Sequence, residues 1–266
     1  MARNPNWTEE ELKMAISLYG KIPFKKTHKT SPEVIYWARI IGRSPGALYT
    51  KLCNLGHFDK SMQKIGVGGL SHTGKLDPII WRLFEENPEK IIYEGQQLLA
   101  ARIGKTVEDF TGIDTENLPK GKMRETIIRQ RVGQCFFREA VLLAYNSHCC
   151  ITGIAIPSLL EACHISSWRD DEKNRTNPKN GICMNAFFHK AYDNYLMAVT
   201  PDFEIVVSNQ MIEYTDDERF QAYLVGLQHK KILMPEKFAP DKELLANHYN
   251  TYLTKQYLLQ IWLNYK

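Results

Sequence analysis

The stretch EACHISSWRDDEKNRTNPKNGICMNAFFHKAYDN, Glu161 to Asn194, decides how the chain is read. His164 follows an apolar run, where a strand would present an imidazole at its end. Asn180-Gly181 is a turn dipeptide, and ICMNAFFHKAYD directly after it reads as a helix carrying His189. Asp193 stands one helical turn beyond His189, so the two share a helix face. An imidazole with a pKa near neutrality suits proton abstraction. A carboxylate beside a second imidazole suits a hard divalent ion, Mg²⁺ or Mn²⁺ before Zn²⁺. Each residue alone has a plainer reading. The chain has eight histidines, Asn-Gly is a common turn, and Asp193 could pair with Lys190. The joint pattern of His164, Asn180 and His189 carries the argument.

Composition bounds the rest. With 266 residues, 44% hydrophobic and 24% charged, the chain can bury one large core or two small ones. No apolar run approaches the roughly 20 residues that span a bilayer, so no membrane partner is expected. The opening MARNPNWTEEE lacks the apolar centre of a signal peptide, and a cytoplasmic location is expected. Six cysteines include no C-x-x-C pair, which favours free, mostly buried thiols. A zinc held by Cys150, Cys163 and Cys183 would lack the usual spacing. The net charge of +4 is mild, but its distribution is uneven. Eight Lys/Arg against two acids lie between Lys21 and Lys60, and six against two between Lys120 and Ala140. Brought together by folding, these clusters would form a phosphate-binding surface; separately they read as solvated charge.

Residues 1–62 read as helices. Thr8 and Glu11 form a capping box, Ser31-Pro32 opens a second helix that stops at Gly42, and Ser44-Pro45 opens a third. Two helices joined by Gly42-Arg43-Ser44 make a helix-turn-helix candidate, with Tyr49, Lys51 and Asn54 facing outward and Arg43 at the helix start to meet DNA. A small three-helix bundle with a polar face is the alternative. Residues 63–119 read as a glycine-rich linker (Gly66–Gly74) and accessory helices opened by Asp77-Pro78 and Asn87-Pro88. The last unit, 120–266, begins with a basic lead into a long helix and includes a short hairpin, LMAVT with EIVVS.

The strand–loop–helix of 161–194, with nine positions from Asn180 to His189, resembles the HNH (ββα-metal) endonucleases. The run RETIIRQRVGQCFFREAVLLAYNSHCCITG, the segment IGRSPGALYTKL and the tail after Glu218 resemble bacterial restriction-type members of that family. The resemblance implies an α+β chain: an N-terminal helical, helix-turn-helix-like module followed by a C-terminal ββα-metal nuclease domain. It implies phosphodiester hydrolysis, with His164 as base, His189 as metal ligand, and Asn180 fixing the loop or joining the metal. Asp193 joins the ligand set, and Arg169 and Arg175 on the loop are candidates for substrate phosphates. DNA is the implied partner, restriction or defence the implied role, and a homodimer would follow the habit of restriction-type enzymes that cut both strands. One departure stands out: Cys163 occupies the position before the base, where many relatives carry Asp or His. Two rivals remain open, a nonspecific or RNA-directed nuclease and a DNA-binding regulator with a degenerate site.

Overall fold

The fold was described from a computed structural model, covering residues 6–23, 27–59, 62, 73–116 and 118–264. Glycine-rich residues 66–72 of the expected linker lie outside these. The helices are α1 (Glu9–Lys21), α2 (Pro32–Ile41), α3 (Pro45–Phe58), α4 (Asp77–Glu86), α5 (Pro88–Arg102), α6 (Val107–Thr111), α7 (Lys122–Ala144), α8 (Ala186–Asp193), α9 (Asn209–Glu213), α10 (Glu218–Val225) and α11 (Lys242–Asn264). Two small antiparallel sheets complete the α+β chain: β1 (Leu160–His164) with β2 (Gly181–Asn185), and β3 (Met197–Val199) with β4 (Ile205–Val207). No helix among the described residues is long and apolar enough to cross a membrane.

Local chemistry sets the helix ends. Thr8 and Glu11 exchange both capping-box hydrogen bonds at α1, 2.8 and 3.2 Å. Gly42 ends α2 at φ +85°, a conformation that glycine adopts without steric cost. Ser44 then accepts from the Ala47 amide to start α3.

Among the described residues two large cores form, with a small cluster of Val107, Ile128 and Val132 beside them, and α7 serves both large ones. Phe136 and Ala140 pack into the helical core with Leu12, Ile16, Leu48, Trp81 and Leu99. Phe137, Val141 and Ala144 pack into the second core with the β1–β2 hairpin, α8 and β3–β4. Adjacent residues on a helix are about 100° apart, so the members of the 136/137 and 140/141 pairs lie on different faces. The C-terminal segment returns to the first core as well. Phe238 packs there, its amide donates to Asp59, and buried Lys237 donates to the Tyr19 and Ile22 carbonyls at the end of α1. The unit expected to start at 120 thus shares its first helix with what precedes it.

The N-terminal helices differ from the expected DNA-reading surface. Lys51 and Asn54 are 4% and 5% exposed and face inward. Both Asp77 carboxylate oxygens accept from the Lys51 ammonium at 2.7 Å, which joins α3 to α4. Asp77 therefore does not cap α4; Leu76 occupies that position. Arg43 is held by Glu11 at 2.6–2.7 Å and lies over Trp7, while Tyr49 is half-buried against the helical core. A polar residue on a short helix looks outward by pattern alone. A carboxylate arriving from 26 positions away turns Lys51 inward.

Candidate active site

The catalytic-looking residues stand on the β1–β2 hairpin and α8. The sequence suggested helix from Ile182, but Gly181–Asn185 is strand and helix begins at Ala186. Burial explains the change, because all five residues of β2 are buried and pair with β1 in the register Leu160–Asn185 to His164–Gly181. Asn185 then caps α8 by accepting from the Phe188 amide. Gly181 is required by close approach: a Cβ there would stand 2.3 Å from Val141 Cγ2 and 2.9 Å from Phe137 Cζ.

His164 ends β1 with its ring stacked on Phe137, centroids 3.8 Å apart and planes 10° apart, and edge-on to Trp168. Its Nε2 lies 3.0 Å from the Arg175 carbonyl. A carbonyl only accepts, so Nε2 carries the proton and Nδ1 keeps the lone pair. Burial lowers the His164 pKa below the ordinary histidine value, and the neighbouring His189 adds to this, against the opposing pull of the Arg175 carbonyl and Asp193. The ring is neutral at pH 7, the state a general base needs.

His189 faces two carboxylates. Its Nδ1 is bonded to Glu161, and its Nε2 lies 3.4 Å from Asp193 Oδ2. Donation from Nδ1 to Glu161 fixes the tautomer and turns the Nε2 lone pair toward Asp193, the usual arrangement behind a metal-binding histidine. The expected i,i+4 pairing of 189 and 193 is therefore present. Cys163, His189 and Asp193 offer ligand atoms within 4.8 Å of one another, a group that could hold an ion. Cys163 is completely buried, and burial pushes its thiol well above the ordinary range, with Asp193 and Glu161 adding to it. A protonated thiol is a poor partner for a hard ion, so the imidazole and the carboxylate are the members that fit one. Cys150 and Cys183 do not join Cys163 in a ligand group.

The Asn180 side chain is taken up by the loop. It is fully buried, its Oδ1 accepts from the Ser166 amide at 2.7 Å, and its Nδ2 donates to the Ser166 and Asn174 carbonyls at 3.0 and 3.1 Å. Those bonds tie the two ends of the 165–180 loop together, and its metal-ligand role has no support in this geometry. Arg175 is also occupied. Its Nε donates to the Trp168 carbonyl, Nη1 to Glu172, and the guanidinium lies over the Trp168 ring. It orders the loop that holds His164. Arg169 is exposed on the same loop, whereas Arg43, Tyr49, Lys51 and Asn54 belong to the helical core region.

Three further residues, Glu161, Arg138 and Gln134, belong to the site. Glu161 interrupts the apolar run SLLEACHI three positions before His164, a carboxylate between the buried residues Leu160 and Cys163. Arg138 and Gln134 belong to the basic lead of α7, and with Phe137, Glu161, His164, Trp168 and His189 they line an open cleft of about 430 Å³. Arg138 donates from Nη2 to the Leu160 carbonyl at 3.0 Å, which sets its guanidinium beside the hairpin.

Comparison with known proteins agrees with this geometry. Residues 149–200 match the family model of the HNH endonucleases, so the segment holding His164, Asn180, His189 and Asp193 is similar to that family. No curated protein and no solved structure matches the chain.

Proposed function

We propose that this chain is a metal-dependent endonuclease that hydrolyses phosphodiester bonds in DNA. The observation that carries the reading is that His164, neutral and with Nδ1 as its free nitrogen, shares one cleft with His189, which has Asp193 at 3.4 Å. His164 takes a proton from the attacking water; the Arg175 carbonyl holds its ring, and Phe137 supports its flat face. His189 and Asp193 would hold a divalent ion, Mg²⁺ or Mn²⁺, which supplies Lewis acidity and charge relief at the phosphate. Glu161 keeps His189 in the required tautomer, and Asn180 keeps the loop closed behind His164.

Foreign DNA met in the cytoplasm, in a restriction or defence role, fits the restriction-type likeness of the flanking segments. The DNA-binding-regulator reading draws on Cys163, whose buried thiol takes a place suited to a hard ligand. Purified protein and supercoiled plasmid separate the two. The nuclease reading expects nicking with Mg²⁺ or Mn²⁺ that EDTA abolishes and that is lost in His164→Ala. Tight plasmid binding without nicking under any divalent ion would refute it.

A further inference from the structure

Some members of the two basic clusters are neutralised by a carboxylate and others are not. Lys21, Arg43, Lys51 and Arg129 are each paired with a carboxylate: Glu139, Glu11, Asp77 and Glu89. Arg131 and Arg138 are held differently. Arg131 Nη1 donates to the Asp114 carbonyl at 2.7 Å and Arg138 Nη2 to the Leu160 carbonyl at 3.0 Å. A backbone carbonyl fixes a guanidinium without neutralising it, and most of its five N–H donors remain for another acceptor. Two carboxylates that could otherwise neutralise Arg138 are already committed: Glu139, its neighbour in sequence, to Lys21, and Glu161, which lines the same cleft, to His189.

Arg124, Arg131 and Arg138 are seven residues apart on α7. A straight helix drifts only about 20° per heptad, so the three form one stripe. At a rise of about 1.5 Å per residue, the steps are about 10 Å and the stripe about 21 Å long. Its Arg138 end lines the cleft that holds His164 and His189. Ile127 and Gln134 fill the positions between, and no aromatic ring lies on the stripe.

We propose that this face of α7 is a rail for the phosphate backbone of duplex DNA, guiding one strand into the cleft; the proposal rests on the nuclease reading. Each strand carries one phosphate per about 3.4 Å of duplex axis, so a stripe about 21 Å long spans roughly six phosphates of a strand, enough to offer a contact to each arginine. Single-strand tracks need stacking platforms for the bases, and the stripe offers none. Contacts of this kind fix register and orientation without reading sequence.

The test is binding of a 20-base-pair DNA duplex to the full chain in EDTA, measured by fluorescence anisotropy over a range of salt. Each lost phosphate contact flattens the log–log salt dependence by about 0.9, which is about eight-fold in affinity at 0.1 M salt. The double variant R124Q/R131Q should flatten the slope by about two and weaken binding by tens of fold, with an unchanged melting temperature. Should the double variant melt early, R124Q alone must flatten the slope by about one. An unchanged slope in a variant that melts like the wild type overturns the rail, and so does tighter binding of the 20-nucleotide single strand or the matching RNA duplex. Plasmid nicking keeps the two readings apart. A wild type that nicks while its variants keep their slope loses the rail alone. One that binds with an arginine-dependent slope and never nicks loses the nuclease reading alone.

Discussion

Substitution of Asn180 separates a scaffold from a ligand. Its amide makes three hydrogen bonds that close the 165–180 loop. Asn180→Ala removes all three, at a net cost of about 1 kcal/mol each. The orphaned groups belong to half-buried Ser166 and Asn174, so water can recover part, and the expected loss is about 2–3 kcal/mol. At about 2–4 °C per kcal/mol, the melting temperature should fall by about 4–12 °C. Asn180→Asp is the sharper variant. It keeps an acceptor for the Ser166 amide but turns a carboxylate oxygen toward two carbonyls that need a donor. The cost should equal or exceed that of alanine, and nicking should fall in both variants because the same loop presents the Arg175 carbonyl to His164. Calorimetry, together with nicking measured against metal concentration, decides the matter. If Asp at 180 left the melting temperature unchanged and lowered the metal requirement, Asn180 would be a ligand and the scaffold argument would be wrong.

Four further outcomes follow from the same geometry. His164→Ala should abolish nicking while leaving the duplex dissociation constant within about two-fold, since affinity rests on phosphate contacts; wild-type cutting by this variant would remove His164 from the chemistry. Because burial lowers the His164 pKa, the base loses its proton earlier on a rising pH scale, so the acid limb of the rate profile should have its midpoint below 6.5; a midpoint above that value contradicts the assigned protonation. Asp193→Ala should raise the metal concentration needed for half-maximal nicking at least ten-fold, with excess Mg²⁺ or Mn²⁺ restoring part of the rate, and an unchanged metal titration would leave Asp193 as a mere partner of His189. Removal of residues 1–119 should yield aggregated or poorly folded protein, because Phe136, Ala140 and Phe238 lose their core and Lys237 its carbonyl acceptors; a soluble fragment with a cooperative thermal transition would restore the boundary at 120.

What the sequence reveals depends on how local the cause is. The Thr8–Glu11 capping box, the stop at Gly42 and the β3–β4 hairpin involve residues close in the chain, and all are present. His189 and Asp193 share a helix face by periodicity alone, and they meet. The segment Ile182–Asn185 reads as helix because it is apolar and runs into one; only the presence of β1 makes it strand. Lys51 and Arg43 appear as DNA-reading charges until their carboxylates, 26 and 32 positions away, are known. Glu161 escapes notice because its partner is 28 positions on. The two-sided role of α7 was visible in the doubled pairs 136/137 and 140/141, yet such a pattern says only that two faces are covered, not by what.

The return of Lys237 and Phe238 to the first core has a consequence for synthesis. The Lys237 ammonium reaches a carbonyl 218 residues earlier in the chain. At ribosomal speeds of about 5–20 residues per second, that contact lags its own acceptor by roughly 10–40 s. Residues 161–194 emerge well before 237, so the hairpin, its loop and α8 leave the tunnel while the helices that brace the other side of α7 still lack their closing pieces. A candidate site whose full bracing waits for residue 237 is held only in part until that residue has emerged.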